Sequence, residues 1–238
     1  MAESGDFFQE IARIKSESRR RKREIPEDFY SLDKPGNLYV YTQRLRDAVN
    51  LMKRRSLFPL AGKDILEVGC GSGNWLLDFE RLGARREHLH GIDLDEERIQ
   101  KAKERIPQAD LQIGNAAELP WPDQSFDIVL QSTLFTSILD PHLKKAAAEE
   151  MRRVVKRSGM ILWYDFFCDN PWNPNVRGIS KRELKTLFPD FLITFQRITL
   201  AAPLARRLAP KSWLICYLLE QMKLFNTHYL GILAKDSS

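Results

Sequence analysis

Cysteine, histidine and long apolar runs are all scarce in this chain. Three cysteines and four histidines occur among 238 residues, and Cys70, Cys168 and Cys216 show no metal-ligand spacing. We therefore expect no metal site and free, mostly buried thiols in a reducing compartment. No uninterrupted apolar run reaches the roughly 18 residues of a membrane-spanning helix, and the start has no run like that of a signal peptide. The sequence predicts a cytoplasmic protein without a membrane span.

Charge is distributed unevenly along the chain. Lys and Arg number 13 against 9 Asp and Glu in residues 1–55, 14 against 19 in 56–175, and 10 against 4 in 176–238. The basic run from Arg19 to Arg23 could form a nucleic-acid patch, but acidic residues are spread through the same segment, as in a solvated helix. We therefore do not expect nucleic acid as the main partner.

Strand-like and helix-like patterns alternate through the middle of the chain. Short apolar runs predict strands at 63–69, 88–94, 109–115, 124–132 and 160–167, and helical spacing occurs at 74–83, 95–107 and 141–159. Such alternation indicates a parallel sheet covered on both faces by helices. Residues 190–200 and 226–235 read as two further strands without an ordinary helical crossover between them, which allows an antiparallel finish.

The segment "ILEVGCGSGNW" (65–75) joins the first strand to the first of these helices. Gly69, Gly71 and Gly73 occupy alternate positions, and Asp93 ends the second strand. Glycine lets the backbone approach a ligand closely, and an acid at the end of the neighbouring strand can accept hydrogen bonds from two ribose hydroxyls. The two features together predict a nucleoside site. The spacing differs from the G-x-G-x-x-G pattern of dinucleotide-binding proteins, so a nicotinamide oxidoreductase is disfavoured.

These residues resemble the first motif of the class I S-adenosylmethionine-dependent methyltransferases, in which an acid precedes glycines in this register. The resemblance extends through "GNAAELPWPDQSFDIVL" to "MRRVVKRSGMILWYDF" and covers about residues 60–168. It implies that Glu67 organises the amino-acid end of the cofactor and that Asp93 holds its ribose. Asn115 stands where the family usually has an aspartate near the adenine amine, and its amide oxygen can still accept that hydrogen bond. The cofactor contacts implied in this way are Glu67, Gly69, Cys70, Gly71, Gly73, Asp93, Leu94, Asn115, Ala116, Gln131 and Ser132.

Catalytic and acceptor-binding residues are less constrained by the sequence. Asp165, near the carboxyl end of the fifth strand, is the first candidate for a general base, with His142 and His228 as further candidates, although a base is optional for a methyl transfer. Relatives that carry a histidine after the fourth strand have it where Thr136 and Ser137 stand here. Aromatic and basic residues around the expected mouth of the site predict acceptor contacts at Tyr30, Phe135, Trp172, Arg177 and His228.

The sequence as a whole predicts an α/β three-layer sandwich with a mostly parallel seven-stranded sheet, the Rossmann-like methyltransferase fold, with its last strand antiparallel. We expect an amino-terminal helical cap at 1–58 and the cofactor-binding domain at 59–238, with 165–179 and 201–225 as substrate-side additions. Helix 212–225 either covers the site or forms a homodimer contact. The expected activity moves a methyl group from S-adenosylmethionine, leaving S-adenosylhomocysteine, to an O or N atom of a small polar molecule. An RNA methyltransferase and a non-catalytic cofactor-binding partner protein are the alternatives.

Overall fold

A mixed sheet forms the centre of the molecule. The computed structural model describes residues 3–170 and 173–235, and in those ranges the sheet has seven strands in the order β3-β2-β1-β4-β5-β7-β6. β1 to β5 run parallel, whereas β7 runs antiparallel to both β5 and β6. The strands are β1 (Ile65–Val68), β2 (Leu89–Asp93), β3 (Asp110–Ile113), β4 (Phe126–Ser132), β5 (Val155–Phe166), β6 (Phe191–Leu200) and β7 (Asn226–Lys235). The predicted fold class, including the antiparallel last strand, is confirmed.

Helices surround the sheet and several begin at a capping side chain. The side chains of Asp95, Asp140, Ser180 and Ser212 each accept a hydrogen bond from the backbone N–H three residues later, which satisfies a donor that the first helical turn leaves free. In chain order the helices are α1 (Glu3–Glu24), α2 (Pro35–Arg54), α3 (Asn74–Arg81), α4 (Glu96–Arg105), α5 (Pro141–Val154), α6 (Lys181–Leu187), α7 (Ala202–Leu208) and α8 (Trp213–Gln221). None of these described helices combines the length and the apolarity that crossing a bilayer would require.

Two apolar clusters pack on the two faces of the sheet. Leu66, Val68 and Trp163 belong to one cluster, and Ile65 and Tyr164 belong to the other. Successive side chains of a strand point to opposite faces, so the alternation along β1 and β5 assigns one cluster to each face. Glu67 accordingly shares the face of Ile65.

The junction between α5 and β5 differs from the sequence prediction. The helix was expected to continue to Gly159, but it ends at Val154 and the strand begins at Val155. The pairing of β4 with β5 shifts register here, from Phe126 opposite Val155 to Ile128 opposite Met160. A Cβ atom at Gly159 would lie 2.8 Å from the backbone oxygen of Phe126. Gly159 therefore permits close packing of β5 against β4. From the sequence, the same glycine had been predicted to end the helix.

Candidate active site

The glycine turn after β1 lies at the sheet edge where the parallel strands end. Gly69, Gly71 and Gly73 all have φ values in the left-handed region, at 77°, 52° and 75°, where a side chain would impose strain. The backbone N–H groups of Gly69 and Cys70 both donate to the carbonyl of Ile92, at 2.8 and 3.0 Å. These bonds fix the turn to the end of β2 and therefore next to Asp93.

Asp93 holds the glycine turn and the start of α4 through its carboxylate. One oxygen accepts from the N–H of Gly71 at 2.8 Å and the other from the N–H of Asp95 at 2.9 Å. Burial raises the pKa of Asp93, and the two backbone donors oppose that shift. A carboxylate oxygen can accept more than one hydrogen bond, so each oxygen retains capacity for a ligand hydroxyl.

A cavity of about 270 Å³, here called the Asp93 cavity, opens beside this carboxylate. Six of the sequence-predicted cofactor residues line it, namely Gly69, Asp93, Leu94, Asn115, Ala116 and Ser132. The side-chain oxygen of Asn115 accepts from the N–H of Ala117 at 3.1 Å. That bond orients the amide at the cavity wall while the oxygen keeps a second lone pair.

Helix α1 covers the Asp93 cavity on the outside. Ser18 donates to the carboxylate of Asp95 at 2.9 Å, and Arg13 donates to the backbone oxygen of Ser137 at 2.6 Å. Glu10 accepts from the N–H of Leu139 at 2.6 Å. The helix is therefore attached to the loops after both β2 and β4, and it forms one wall of the cavity.

Glu67 is buried beneath the glycine turn, with an exposed fraction of 3%. Its Oε2 atom has no hydrogen-bond partner among the described residues, and the same holds for Nε of Arg44 and Nε1 of Trp75. Burial raises the pKa of Glu67 well above its usual value, and the nearby charge of Arg44 opposes that shift. Unpaired buried polar atoms are costly. Glu67 and Arg44, each with a buried polar atom that lacks a partner, fit a ligand that carries both an ammonium and a carboxylate.

A second cavity, of about 430 Å³, lies on the Glu67 side of the turn and is here called the Arg44 cavity. Asp78 is the one carboxylate in its described lining, and its oxygens are approached by Tyr41, Arg81 and Arg44 at 2.5, 3.1 and 3.3 Å. The cavity is lined by four arginines, Arg44, Arg81, Arg105 and Arg206. The lining is therefore cationic overall.

Two of these arginines have no carboxylate partner among the described residues. Arg105 donates to the backbone oxygen of Ser72 at 2.6 Å and to the side chain of Asn74 at 2.9 Å, which braces the glycine turn. Arg206 donates to Asn37 at 3.1 Å, and its guanidinium lies 4.2 Å from the ring centroid of Phe29. Both guanidinium groups retain donors for an anionic ligand.

The candidate bases Asp165 and His142 line neither cavity. Asp165 is completely buried and accepts from the N–H groups of Phe135 and Thr136, at 3.1 and 3.3 Å, and from the hydroxyl of Thr136 at 2.7 Å. Burial raises its pKa to about 7 against these donors. His142 lies exposed in the first turn of α5. The structure thus places Asp165 as a support for the loop after β4, outside the lining of both cavities.

Several other predicted residues support the cavities without lining them. Gln131 is fully buried and accepts from the N–H of Leu134 at 3.1 Å, and Phe135 lies buried in the core. Cys70, Gly71 and Gly73 belong to the turn itself but are not part of either described lining. They shape the backbone on which the lining residues sit.

The predicted acceptor-binding residues separate in the structure. Tyr30 and His228 line the Arg44 cavity, whereas Arg177 is exposed, pairs with Glu183 at 3.1 Å and lines neither cavity. Trp172 lies outside the described residues. His228 stacks on Tyr164 at 4.5 Å between ring centroids, and burial lowers its pKa to about 3, so its imidazole is neutral near neutral pH.

Sequence reasoning missed Arg44, Arg105, Arg206 and the α1 residues that wall the Asp93 cavity. No local motif marks them, because each meets its partners only after distant segments have packed together. Arg44, for example, lies over the ring of Trp75, at 4.2 Å from the ring centroid. A guanidinium on an amphipathic helix is otherwise typical of a solvated face.

The region that contains the glycine turn is similar to a known protein family. Residues 65–159 match the family described as Methyltransferase domain. This region is a class I, S-adenosylmethionine-dependent methyltransferase domain. Its matched part runs from β1 into β5 and includes Glu67, Asp93 and Asn115.

Relatives of the methyltransferase domain come from both curated sequences and solved structures. The chain is 33% identical over 135 residues to a probable S-adenosylmethionine-dependent methyltransferase of Mycolicibacterium smegmatis, covering 53% of this chain and 50% of that one. It is 32% identical over 123 residues to the demethylmenaquinone methyltransferase of Listeria welshimeri, covering 49% and 48%. A methyltransferase structure from Methanosarcina mazei aligns with a TM-score of 0.56 at 20% identity, covering 73% of this chain and 92% of that chain. The chain spans about half the length of the curated relatives it matches.

Proposed function

We propose that this protein transfers the methyl group of S-adenosylmethionine to an O or N atom of a small anionic molecule. The observation that carries the proposal is the pair of side chains Glu67 and Arg44 beside the glycine turn, each with one buried polar atom that lacks a hydrogen-bond partner among the described residues, with Asp93 at the end of the neighbouring strand. A nucleoside joined to an amino acid has ribose hydroxyls that can bind Asp93, and it has an ammonium and a carboxylate that can pair with Glu67 and Arg44. Few other cofactors combine both.

The residues present fit such a cofactor. Asp93 would hold the ribose hydroxyls, and Asn115 and Ala116 would face the adenine in the Asp93 cavity. Glu67 would pair with the ammonium of the amino-acid end, and Arg44 would pair with its carboxylate, so that both orphaned atoms gain partners. We also propose that α1 and α2, which lie within the predicted cap at 1–58, close over the two halves of the ligand.

The cofactor supplies an electrophilic methyl group, so the chain has mainly to position the acceptor in line with it. Good alignment alone can contribute about 7–11 kcal/mol to lowering the barrier. Asp165 is occupied by loop contacts, and His228, with a pKa of about 3, is a weak base. Burial raises the pKa of Tyr41, which keeps its hydroxyl protonated and donating to Asp78. We therefore propose catalysis by proximity and orientation, without a strong general base.

The charge of the Arg44 cavity favours an anionic acceptor. Arg105 and Arg206 offer guanidinium donors without a carboxylate partner in the described chain, and such groups bind carboxylates and phosphates through paired hydrogen bonds. The curated relative named for demethylmenaquinone is consistent with a small-molecule acceptor. A quinone lacks the negative charge that these arginines would complement, so we propose a different acceptor here.

Ion pairing on α1 favours a small molecule over RNA. Arg20 pairs with Glu17 and Glu24, and Lys22 pairs with Glu97. Arg20 and Lys22 belong to the basic run 19–23 and are balanced within the chain, so the charge of that run is interrupted, although Arg19, Arg21 and Arg23 form no salt bridge among the described residues. RNA binding would instead require a continuous set of unbalanced cations beside the pocket.

Calorimetric titration tests the cofactor assignment directly. We expect saturable binding of S-adenosylhomocysteine to the full chain and no binding of a nicotinamide dinucleotide. Alcohols and amines that carry a carboxylate or phosphate, each with its neutral amide or ester analogue, would then be screened for formation of S-adenosylhomocysteine by mass spectrometry. Failure of both ligands to bind would refute the cofactor site, whereas cofactor binding with transfer only to neutral acceptors would refute the charge assignment alone.

A further inference from the structure

Exposed apolar side chains are concentrated on one short part of the surface. Among the described residues, thirteen large apolar side chains are exposed, and eight of them lie between positions 213 and 225. We call this set the α8 face; it comprises Trp213, Leu214, Ile215, Tyr217, Leu218, Met222, Leu224 and Phe225. Single exposed apolar residues are ordinary on protein surfaces, but a contiguous patch of this kind marks an interaction site.

The buried side of α8 shows that this orientation is held by specific contacts. Glu220 is 1% exposed and accepts from the hydroxyl of Tyr39 at 2.8 Å and from the N–H of Thr199 at 2.9 Å. Cys216, one turn earlier, is fully buried. Rotating the helix to hide Leu214 and Leu218 would break these buried hydrogen bonds, which would be costly. The α8 face is therefore outward in the folded chain.

Charge on this surface has one sign. Residues 201–225 contain four basic side chains, Arg206, Arg207, Lys211 and Lys223, and a single acid, the buried Glu220. No salt bridge within the described part of the chain involves Arg207, Lys211 or Lys223. The segment thus presents apolar side chains together with unbalanced cations.

We propose that the α8 face docks on the surface of a bilayer that contains anionic lipids. An interfacial helix of this kind buries an apolar face at the headgroup boundary while cations attract anionic headgroups. Trp213 and Tyr217 suit that boundary because each ring has an apolar body and a polar atom. A second copy of the chain is a poorer occupant, since pairing this face with itself would bring Arg207, Lys211 and Lys223 towards their own equivalents.

The α8 face and the Arg44 cavity share the amino-terminal half of α2. Trp213 contacts Tyr39 at 5.5 Å between ring centroids, and Arg206, in the cavity wall, donates to Asn37 at 3.1 Å. Tyr30 and Leu32 also line the cavity and are 55% and 44% exposed. Docking through α8 would therefore bring the cavity towards the headgroups. The docking itself depends only on the surface and holds whether or not the proposed methyl transfer is correct.

Vesicle flotation of the full chain tests this inference. We expect it to float with vesicles of phosphatidylcholine plus phosphatidylglycerol, to float poorly with phosphatidylcholine alone, and to detach as salt is raised. The double variant Leu214→Ser and Leu218→Ser should lower the partition coefficient by roughly tenfold or more, and Lys211→Gln with Lys223→Gln should lower it on anionic vesicles only. Leu192→Ser is the matched control, because Leu192 is 60% exposed on β6 and lies outside this face.

Three outcomes would overturn the inference. Equal flotation of the double-leucine variant would show that α8 does not contact lipid. Absence of flotation together with a dimer that the double-leucine variant dissociates, measured by light scattering, would assign the face to a second copy. A monomer that floats with neither vesicle would leave the face without a lipid partner. Unchanged binding of S-adenosylhomocysteine by each variant would exclude misfolding as the cause.

Discussion

The Asp93 cavity and the Arg44 cavity lie on either side of the glycine turn, and the chain builds them in different ways. The Asp93 cavity takes most of its lining from the ends of β1 to β4 and the residues just after them. The Arg44 cavity gathers side chains from Tyr30 to His228, carried by α2, α3, α4, α7 and the last three strands. Local motifs can therefore specify the strand-end part of the Asp93 cavity, whereas its α1 wall and the whole Arg44 cavity form only when distant segments pack together.

The two cavities also differ in the hydrogen-bonding groups that they offer to a ligand. Asp93 and Asn115 offer oxygen acceptors at the ends of strands, which suit ligand hydroxyls and amines. The Arg44 cavity offers guanidinium donors, which suit anions. Glu67 and Arg44 lie where the two regions meet, so their contribution to cofactor and acceptor binding can be separated by the choice of ligand.

Replacing Asp93 with Ala should produce the largest effect in the Asp93 cavity. The change removes two charged acceptors for ligand hydroxyls and the anchor of Gly71 N–H, and each charged hydrogen bond contributes about 1.5–3 kcal/mol. Affinity for S-adenosylhomocysteine, measured by calorimetry, should fall by roughly 100-fold or more. Asp190→Ala is the control, because that acid is 74% exposed and pairs with Arg152 away from both cavities. Unaltered affinity in the Asp93 variant would remove this cavity from the cofactor site.

Arg44→Met should weaken binding of the amino-acid half of the cofactor and leave binding of the nucleoside half unchanged. Methionine preserves much of the apolar stem over Trp75 but cannot pair with a carboxylate, so S-adenosylhomocysteine should bind roughly 10- to 100-fold more weakly. Adenosine, which lacks the amino-acid end, should bind with unchanged affinity. Arg46→Met is the neighbouring control, since Arg46 pairs with Asp47 and lines neither cavity. Equal losses for both ligands would show that Arg44 acts on the fold and not on the carboxylate.

Glu67→Gln should change how cofactor binding depends on pH. Burial raises the pKa of Glu67 in the free protein, while an ammonium beside it would favour the ionised form, so binding should release a proton. The wild-type affinity should therefore rise with pH until Glu67 ionises without ligand, and the variant should lack this slope and bind about tenfold more weakly. Calorimetry in buffers of different ionisation enthalpy measures the proton released. A wild-type enthalpy that is independent of buffer would contradict the assignment.

Unfolding of the free protein gives an independent check on Glu67. Because its pKa is raised above the unfolded value near 4.5, the folded state favours the protonated form. Its contribution to stability should be fully present below that unfolded value and should decline as pH rises towards the raised folded pKa. The Tm of the wild type should therefore fall more than that of Glu67→Gln over this range. A parallel decline would place the titrating group elsewhere.

Local patterns in the sequence predicted the sheet and the strand-end part of the Asp93 cavity. Most of the parallel strands contain a short apolar run. Gly69 follows β1, Asp93 ends β2 and Asn115 lies two residues after β3, so their place at the sheet edge follows from parallel pairing. The junction at Gly159 was predicted wrongly because glycine is typical both of helix ends and of close strand contacts. The close contact of Gly159 with the backbone of β4 shows that the second role applies here, and the sequence alone does not reveal that contact.

The Arg44 cavity could not be predicted in this way. Asp165 was predicted from its place near the carboxyl end of β5, and Arg177 from its place in the loop at the expected mouth of the site. In the structure Arg177 donates to Glu183, and Asp165 accepts from the loop after β4. Arg206, on a helix without any motif, enters the wall because α7 packs against α2. Sequence position near a strand end predicts which backbone approaches the site, but the direction of a side chain depends on the partners that packing brings to it.

Arg206→Met should weaken acceptor binding and leave cofactor binding unchanged. Losing one guanidinium at the cavity wall should raise KM for a carboxylate- or phosphate-bearing acceptor by several-fold, up to about tenfold. The neutral analogue of the same acceptor should be unaffected. Arg182→Met, an exposed change on α6, is the control. Equal changes in KM for charged and neutral acceptors would show that Arg206 acts by shaping the cavity through its contacts with Phe29 and Asn37, and that it does not pair with the negative charge of the acceptor.

Asn115→Asp should produce the smallest change and sharpens the assignment of the Asp93 cavity. Aspartate keeps the oxygen that accepts from Ala117 N–H, and its charge would strengthen a hydrogen bond from an adenine amine at the same wall. Affinity for S-adenosylhomocysteine should therefore be retained or tightened by only a few-fold. Asn115→Leu is the paired variant, because it removes both hydrogen-bonding functions at similar size and should weaken binding. A severe loss in the aspartate variant would mean that a ligand acceptor faces this position, so the adenine would have to lie with a ring nitrogen, and not its amine, towards Asn115.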